Sequence, residues 1–160
     1  MNDATEDKNW DPLGRIWNDQ PDSDGEVFTE WYGTLTKAEQ ILFPTYWLCV
    51  EVYNGGFHQY FTNSTGHHAP EAILGFCELG LNDIAEIVQQ AIAIFGETFP
   101  RKRADREEFL ASFEGDDISE WNPFFNLDDD FYEAIKVPEV PELYDDDRLT
   151  IAAKKYLGEA

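Results

Sequence analysis

The sequence is poor in positive charge. Its 160 residues contain 11 Lys and Arg against 33 Asp and Glu, so the formal net charge is −22. Such an excess repels phosphate, which excludes direct binding to nucleic acid, and it also repels the negative cytoplasmic leaflet of a membrane. The same charge weakens a compact fold by self-repulsion and attracts cationic partners. A binding function toward a basic protein is therefore favoured.

The sequence also lacks long hydrophobic runs. No stretch approaches the roughly 18 apolar residues that a membrane-spanning helix needs, and residues 1–10 are polar, without the apolar core of a secretion signal. We therefore expect a cytoplasmic protein. The only cysteines, Cys49 and Cys77, each lie in an apolar helical pattern, which predicts buried free thiols rather than a disulfide or a metal pair.

Motifs for metal binding and catalysis are scarce. His67 and His68 are adjacent, and neither they nor His58 have the spacing of a zinc site. Residues 22–25 resemble part of a calcium loop, but carboxylates are missing at its first and twelfth positions. The sequence contains no phosphate-binding glycine loop and no nucleophile motif. We expect no metal, no cofactor and no enzymatic activity.

Aromatic residues, in contrast, are abundant: 12 Phe, 7 Tyr and 5 Trp. Disordered acidic chains lack such residues, so the chain is expected to fold. Its length fits one domain over residues 1–160, with 1–24 loosely attached and 116–147 acidic and less regular. Because no run alternates with a period of two, we predict an all-α, single compact domain of many short helices with acidic flanking segments.

Several local signals place these helices. The run from Thr36 to Glu39 is typical of a capping box that begins a helix. Pro44 is expected to kink or divide that helix, and Asn54-Gly55-Gly56 to end it, because glycine adopts the left-handed conformation without steric cost. Further helices are predicted at 57–61, at 69–80 with Pro70 in the first turn, at 83–95 with Asn82 as cap, at 105–113, at 131–135 and at 145–157.

The negative charge is concentrated in the flanking thirds. Twelve acidic residues lie between Asp116 and Asp147, where Lys136 is the only cation, and nine lie between Asp3 and Glu30. Aromatic residues beside the acids are typical of a protein-binding surface, although a solvated acidic face is the alternative. The basic residues 101–103 and Arg106 are expected to pair internally. The residues predicted to bind the partner are Asp116, Asp117, Glu120, Asp128, Asp129, Asp130, Glu133, Asp145, Asp146 and Asp147.

One segment resembles a known family. Residues 51–63 follow the pattern Glu-x-x-Asn-Gly-Gly-Phe-x-Gln-Tyr-Phe-x-Asn, which is similar to the signature of a bacterial family of small helical proteins that includes the neisserial DNA-mimic protein. The resemblance covers roughly residues 30–100 and implies an all-helical fold. In the characterised branch it implies an acidic surface that imitates duplex phosphates and occupies the DNA-binding face of a transcription regulator. The signature residues are Glu51, Asn54, Gly55, Gly56, Phe57, Gln59, Tyr60, Phe61 and Asn63.

From the residues alone, this signature is a helix stop, a glycine turn and an aromatic helix face, so it identifies the fold better than the function. Our leading hypothesis is a DNA mimic that competes with DNA for a helix-turn-helix regulator, and a homodimer would lengthen the imitated duplex. The alternatives are an immunity-type inhibitor of a basic enzyme such as a nuclease, and acidity that serves solubility only. A small-molecule or enzymatic role for the Asn-Gly-Gly-Phe region is the least supported.

Overall fold

The computed structural model describes Ile16 and residues 18–21, 26–137 and 147–158. These ranges contain α-helices, one 3-10 helix and no strand, which confirms the all-α class. None of the helices in them is long and apolar enough to cross a membrane. The expectation for residues 1–24 falls largely outside the described ranges. The helices are α1 (Glu26–Thr34), α2 (Lys37–Thr62), the 3-10 helix (Ser64–His68), α3 (Ala69–Glu78), α4 (Asn82–Ala93), α5 (Arg103–Ala111), α6 (Ile118–Trp121), α7 (Phe125–Ile135) and α8 (Arg148–Tyr156).

The central helix α2 begins at the predicted capping box. The Glu39 amide donates to Thr36 Oγ1 at 3.2 Å, and the Thr36 amide donates to Glu39 Oε2 at 2.8 Å. Pro44 does not divide the helix. Proline has no N–H, so the carbonyl of Gln40 loses its usual helical donor. The Tyr32 hydroxyl of α1 donates to that carbonyl at 2.5 Å and replaces the missing bond.

The backbone of α2 is broken at the predicted glycine pair. Gly55 (φ −160°, ψ 25°) and Gly56 (φ 72°, ψ −178°) both leave the helical region, and the helix resumes at Phe57. This confirms that the Asn-Gly-Gly run interrupts the helix. The short second segment, 57–62, points its aromatic residues into the core.

An aromatic core joins the second segment of α2 to α7 and makes the helices one compact domain. The ring of Phe61 lies 5.0 Å from that of Phe95 and 5.1 Å from that of Phe124, measured between centroids. The rings of Phe57 and Phe131 are 5.6 Å apart. All five side chains are buried. Each such burial stabilises the fold by about 1.5–3 kcal/mol, so this contact fixes where α7 lies.

Several predicted helix starts differ from the structure. The cap of α4 is Leu81 rather than Asn82, which is already helical. Helix α7 begins at Phe125, not at Phe131, so the run Asp128-Asp129-Asp130 lies inside the helix. The start of the last helix is also later than predicted, at Arg148.

The two cysteines differ in environment. Cys49 is buried, and burial raises the pKa of its thiol. Cys77 is exposed, so its predicted burial is wrong. Helix α3 packs on one face only: Phe76 points into the core, whereas Leu74, three residues before Cys77, is 67% exposed. The apolar pattern of α3 therefore continues onto its solvent face. Both thiols are free, as predicted.

Two of the basic residues near α5, Arg101 and Arg103, pair internally, as predicted. Arg101 forms an ion pair with Glu71 at 2.8 Å, and Arg103 forms one with Glu107 at 2.9 Å. The cluster therefore does not offer free positive charge at Arg101 or Arg103. Its remaining arginine, Arg106, is engaged differently.

Arg106 is fully buried and stabilises the end of α2. Its guanidinium donates to the carbonyls of Phe61 at 2.8 Å, Asn63 at 3.0 Å and Pro100 at 3.2 Å, and also to that of Arg101. The last carbonyls of a helix have no intrahelical donor and carry partial negative charge. The positive charge of Arg106 thus serves the fold.

Candidate partner-binding surface

The polar residues of the signature form a hydrogen-bonded cluster around Glu51. Its carboxylate accepts the side-chain amides of Gln59 and Asn63, each at 2.8 Å, and the hydroxyl of Thr65 at 3.3 Å. These bonds tie the body of α2 to the segment after the glycine break. Asn54 is exposed at the break itself. Glu51, Gln59 and Asn63 satisfy one another without a ligand.

The aromatic residues of the signature belong to the core. Phe57, Tyr60 and Phe61 are each 0% exposed. A partner could reach none of them without unfolding the second segment of α2. The signature therefore positions the site rather than contacting a partner through these side chains.

Asp128 of α7 links that helix to the glycine break. The Phe57 amide donates to Asp128 Oδ1 at 2.7 Å. This amide is the first of the resumed helix, where free N–H groups favour a negative charge. A Cβ at Gly56 would lie 2.6 Å from Asp128 Oδ2, so only glycine lets the carboxylate approach so closely. The glycine pair thus makes a docking point for α7.

The second oxygen of Asp128 is also engaged. The Asn122 side-chain amide donates to Asp128 Oδ2 at 3.3 Å, while Asn122 Oδ1 accepts the Phe124 amide at 3.0 Å. Burial raises the pKa of the Asp128 carboxyl, and the bonds from Phe57 and Asn122 offset part of that shift. These contacts give Asp128 a structural role, and its part in binding a partner stays a prediction.

The other acids of α7 face solvent. Asp129, Asp130 and Glu133 are all exposed on this helix. Glu133 Oε1 forms an ion pair with Lys136 at 2.6 Å. In the part of the chain that the structure describes, the side chains of Asp129 and Asp130 have neither a hydrogen bond nor an ion pair. Their charges are available to a cationic partner.

The acids around α6 are exposed and held in place by the helix start. Asp117 caps α6 and accepts the Ser119 amide at 2.9 Å and its hydroxyl at 2.7 Å, which lowers the pKa of Asp117. Glu120 Oε2 accepts the amides of Asp116 at 3.0 Å and Asp117 at 3.3 Å. Asp116, Asp117 and Glu120 therefore carry charge at defined positions on the surface.

The last predicted group is only partly described. Asp147 is the cap of α8: it accepts the Thr150 amide at 2.7 Å and the Tyr53 hydroxyl at 3.0 Å. Asp147 is half-buried, so it serves the fold as well. Asp145 and Asp146 lie outside the described residues.

A groove of about 420 Å³ lies between the glycine break and helices α6 and α7. Its lining includes Trp121, Phe125, Tyr132 and the two carboxylates of Asp128 and Asp129. The groove thus combines aromatic and negative surface. Across the described ranges, no three His, Cys, Asp or Glu residues are grouped so that they could hold a metal ion.

A family model described as DMP19-like protein matches residues 33–150, from the end of α1 to the start of α8. The chain belongs to the DMP19-like family. This is the family of the neisserial DNA-mimic protein that the sequence resembles. Neither the curated proteins nor the solved structures gave a match. The range shared with the DMP19-like family includes the glycine break, the groove and both acidic helices.

Sequence reasoning missed the aromatic half of the groove. His58 and Trp121 meet edge to face with ring centroids 5.2 Å apart, and their positions in the sequence give no sign of this contact. The sequence places aromatic residues beside the acids, but it does not reveal that Phe125 and Tyr132 line a groove. The two residues are seven positions apart, which places them on one face of a helix. This spacing predicts a shared face only if α7 is known to begin at Phe125.

Exposed acids are not confined to α6 and α7. Other helices and loops also display them, including Glu30, Glu86, Glu97, Asp105 and Glu108. Residues 107–135 contain ten Asp and Glu and no Lys or Arg, whereas residues 38–100, which also lack Lys and Arg, contain seven acids in more than twice the length. The acidic residues are therefore denser around helices α6 and α7 and the groove between them.

Proposed function

We propose that the protein is a DNA mimic: the exposed carboxylates of α6 and α7 bind the DNA-binding surface of a transcription regulator and exclude DNA by competition. The observation that carries this proposal is the exposed acidic face of α7, where Asp129 and Asp130 have no ion pair among the described residues, in a chain of the DMP19-like family. A helix-turn-helix regulator in the cytoplasm is the expected partner. Binding, and not catalysis, is the activity.

The charge density of α7 supports the proposal. Asp129 and Glu133 are four residues apart, which is about 6 Å along a helix at a rise of ~1.5 Å per residue. With Asp130 between them, three carboxylates lie over this span, at an average separation of about 3 Å along the axis. Each strand of duplex DNA carries one charge per ~3.4 Å. A groove-binding protein would meet a similar local field.

The rigidity of the acidic surface supports it as well. Asp128 anchors α7 to Phe57, and the capping bonds of Asp117 and Glu120 fix the start of α6. Charges held in place lose little conformational freedom when a partner binds, and this preorganisation favours affinity. The phosphates of a DNA duplex are likewise held at fixed positions by the double helix.

The test is affinity capture from the native lysate, followed by competition. The chain is immobilised, retained proteins are identified, and each is assayed for duplex DNA binding with and without the chain. We expect capture of a regulator that loses its duplex when the chain is added. The triple variant D129K/D130K/E133K should slow association about tenfold or more and flatten its salt dependence, because these charges steer the encounter.

The matched control is the triple variant E30K/E86K/E97K. It changes net charge by the same amount, but its exposed positions lie outside α6 and α7. Equal loss in both variants would mean that net charge alone drives binding, which contradicts the proposed surface. Capture of a basic enzyme, inhibited by the chain, would favour an immunity-type inhibitor instead.

A further inference from the structure

We propose that the groove between the glycine break and helices α6 and α7 receives an arginine side chain of the partner protein. The inference rests on the proposed function in that the partner is taken to be basic. It goes further by naming a pocket, a recognised side chain and the residues that hold it. The aromatic walls, the carboxylates and the size of the groove each bear on this assignment.

Aromatic side chains form the walls of the groove. Trp121, Phe125 and Tyr132 line it, and Phe125 is 38% exposed. The T-shaped contact between Trp121 and His58, at 89°, holds the indole in one orientation. The Tyr132 hydroxyl donates to the Val52 carbonyl at 2.8 Å, which holds the second ring. Guanidinium groups stack on such aromatic faces more readily than ammonium groups do.

Two carboxylates supply the acceptors. Asp129 is exposed at the groove, and Asp128 is half-buried beside it. An ionised carboxylate has about four lone-pair sites; Asp128 uses one toward Phe57 and one toward Asn122. Burial raises the pKa of Asp128, so its negative charge is incompletely compensated there. An arriving guanidinium, with five N–H donors, would compensate it.

The chemistry of the groove disfavours anionic and purely apolar occupants, and its size limits what it can hold. An anion would be repelled by Asp128 and Asp129, and a purely apolar group would leave their carboxylates desolvated. Its volume of about 420 Å³ lies near the lower end of the ~300–1,000 Å³ typical of small-ligand sites. That is room for one long side chain with some water. An arginine matches the rings and the carboxylates together.

The test is an NMR titration of the ¹⁵N-labelled full chain with the blocked tripeptide Gly-Arg-Gly, at about 0.15 M salt. The Trp121 indole N–H, assigned with the W121F variant, and the Gly55 and Gly56 amides report on the groove. We expect these signals to shift saturably. The same peptide with citrulline, the neutral analogue of arginine, should bind at least about tenfold more weakly, because it cannot make charge-assisted hydrogen bonds.

Adjacent residues give a matched pair of variants. Asp129 lines the groove and Asp130 does not, yet both are exposed on α7 and both Asn variants have the same net charge. D129N should weaken arginine binding about three- to tenfold, whereas D130N should change it less than about twofold. Equal losses would overturn the proposal. So would citrulline or lysine peptides that bind as tightly as arginine, or shifts spread over all acidic helices.

This experiment separates the pocket from the proposed function. The peptide titration contains no regulator and no DNA, so it tests the groove alone. If no regulator releases its duplex but D129N selectively loses the peptide, the DNA-mimic function fails and the arginine pocket stands. If the regulator is displaced and the groove signals stay unchanged, the pocket fails and the DNA-mimic function stands.

Discussion

Replacing Gly56 with alanine should uncouple α7 from the break in α2. Gly56 has φ 72°, in the left-handed region, and an added Cβ would lie 2.6 Å from Asp128 Oδ2 and 2.9 Å from its Cγ. Heavy atoms do not approach this closely without a shift. The Asp128 carboxylate must therefore move, and its 2.7 Å bond from the Phe57 amide must lengthen or break.

The expected loss of stability has two parts. With φ 72° and ψ −178°, Gly56 lies in a backbone region used almost only by glycine, where another residue costs about 1–3 kcal/mol. A hydrogen bond to a charged group contributes about 1.5–3 kcal/mol. Gly56→Ala should therefore lower the free energy of unfolding by roughly 2.5–6 kcal/mol, a large share of the ~5–15 kcal/mol of a typical domain. Urea denaturation of the full chain, followed by circular dichroism, measures this loss.

Gly80 offers a control for a positive φ without a steric contact. It has φ 75°, but a Cβ there would meet nothing within 4 Å. Gly80→Ala should thus lose only a conformational contribution of about 1–2 kcal/mol. The excess loss of Gly56→Ala over Gly80→Ala combines the contact with Asp128 and the additional backbone cost at ψ −178°.

A double-mutant cycle completes the test. In an Asp128→Ala background the carboxylate is absent, so Gly56→Ala should lose less stability than in the native background, because only its backbone cost remains. Two results would refute the reasoning: equal losses for the two glycine variants in the native background, or a loss at Gly56 that is the same with and without Asp128. Either would mean that the carboxylate does not require glycine at this position.

Two further predictions concern buried groups. With a thiol reagent such as DTNB, Cys77 should react rapidly because it is exposed. Cys49 should react only on unfolding, because it is buried and the pKa of its thiol is raised. The C77S variant should lose the fast phase of the reaction, and a fast phase that persists in C77S would contradict the assignment. Arg106→Lys should lower the free energy of unfolding by at least about 3 kcal/mol, because an ammonium group cannot donate to the same set of carbonyls. Arg103→Lys, at an exposed ion pair, should lower it by less than about 1 kcal/mol. Similar losses for the two variants in urea denaturation would show that the buried guanidinium is not decisive.

Local sequence signals predicted the fold well where the deciding contacts join residues that are close together in the sequence. The capping box at Thr36 and the break at Gly55-Gly56 depend on residues within a few positions of each other, and both were identified. Pro44 shows the limit of local reasoning. Its effect is cancelled by Tyr32, a residue of another helix, through a hydrogen bond that no local pattern reveals.

The sequence predicted an acidic surface, but it did not predict what each acidic residue does in the structure. The run Asp128-Asp129-Asp130 looks uniform in sequence, yet Asp128 accepts an amide 71 residues away while its neighbours face solvent. Which of three adjacent aspartates turns inward depends on the helical phase of α7, and that phase is set by Phe131 in the core. A tertiary contact therefore decides a question that charge counting leaves open.

The contrast within this aspartate run separates two kinds of constraint. Replacing Asp128 disturbs the scaffold, because a backbone amide and Asn122 depend on it. No group among the described residues donates a hydrogen bond to Asp129 or Asp130. Other amino acids can therefore replace these two residues without loss of folding. Substitutions at a few exposed side chains can therefore change which partner the protein binds, while the helices and core that support them stay the same.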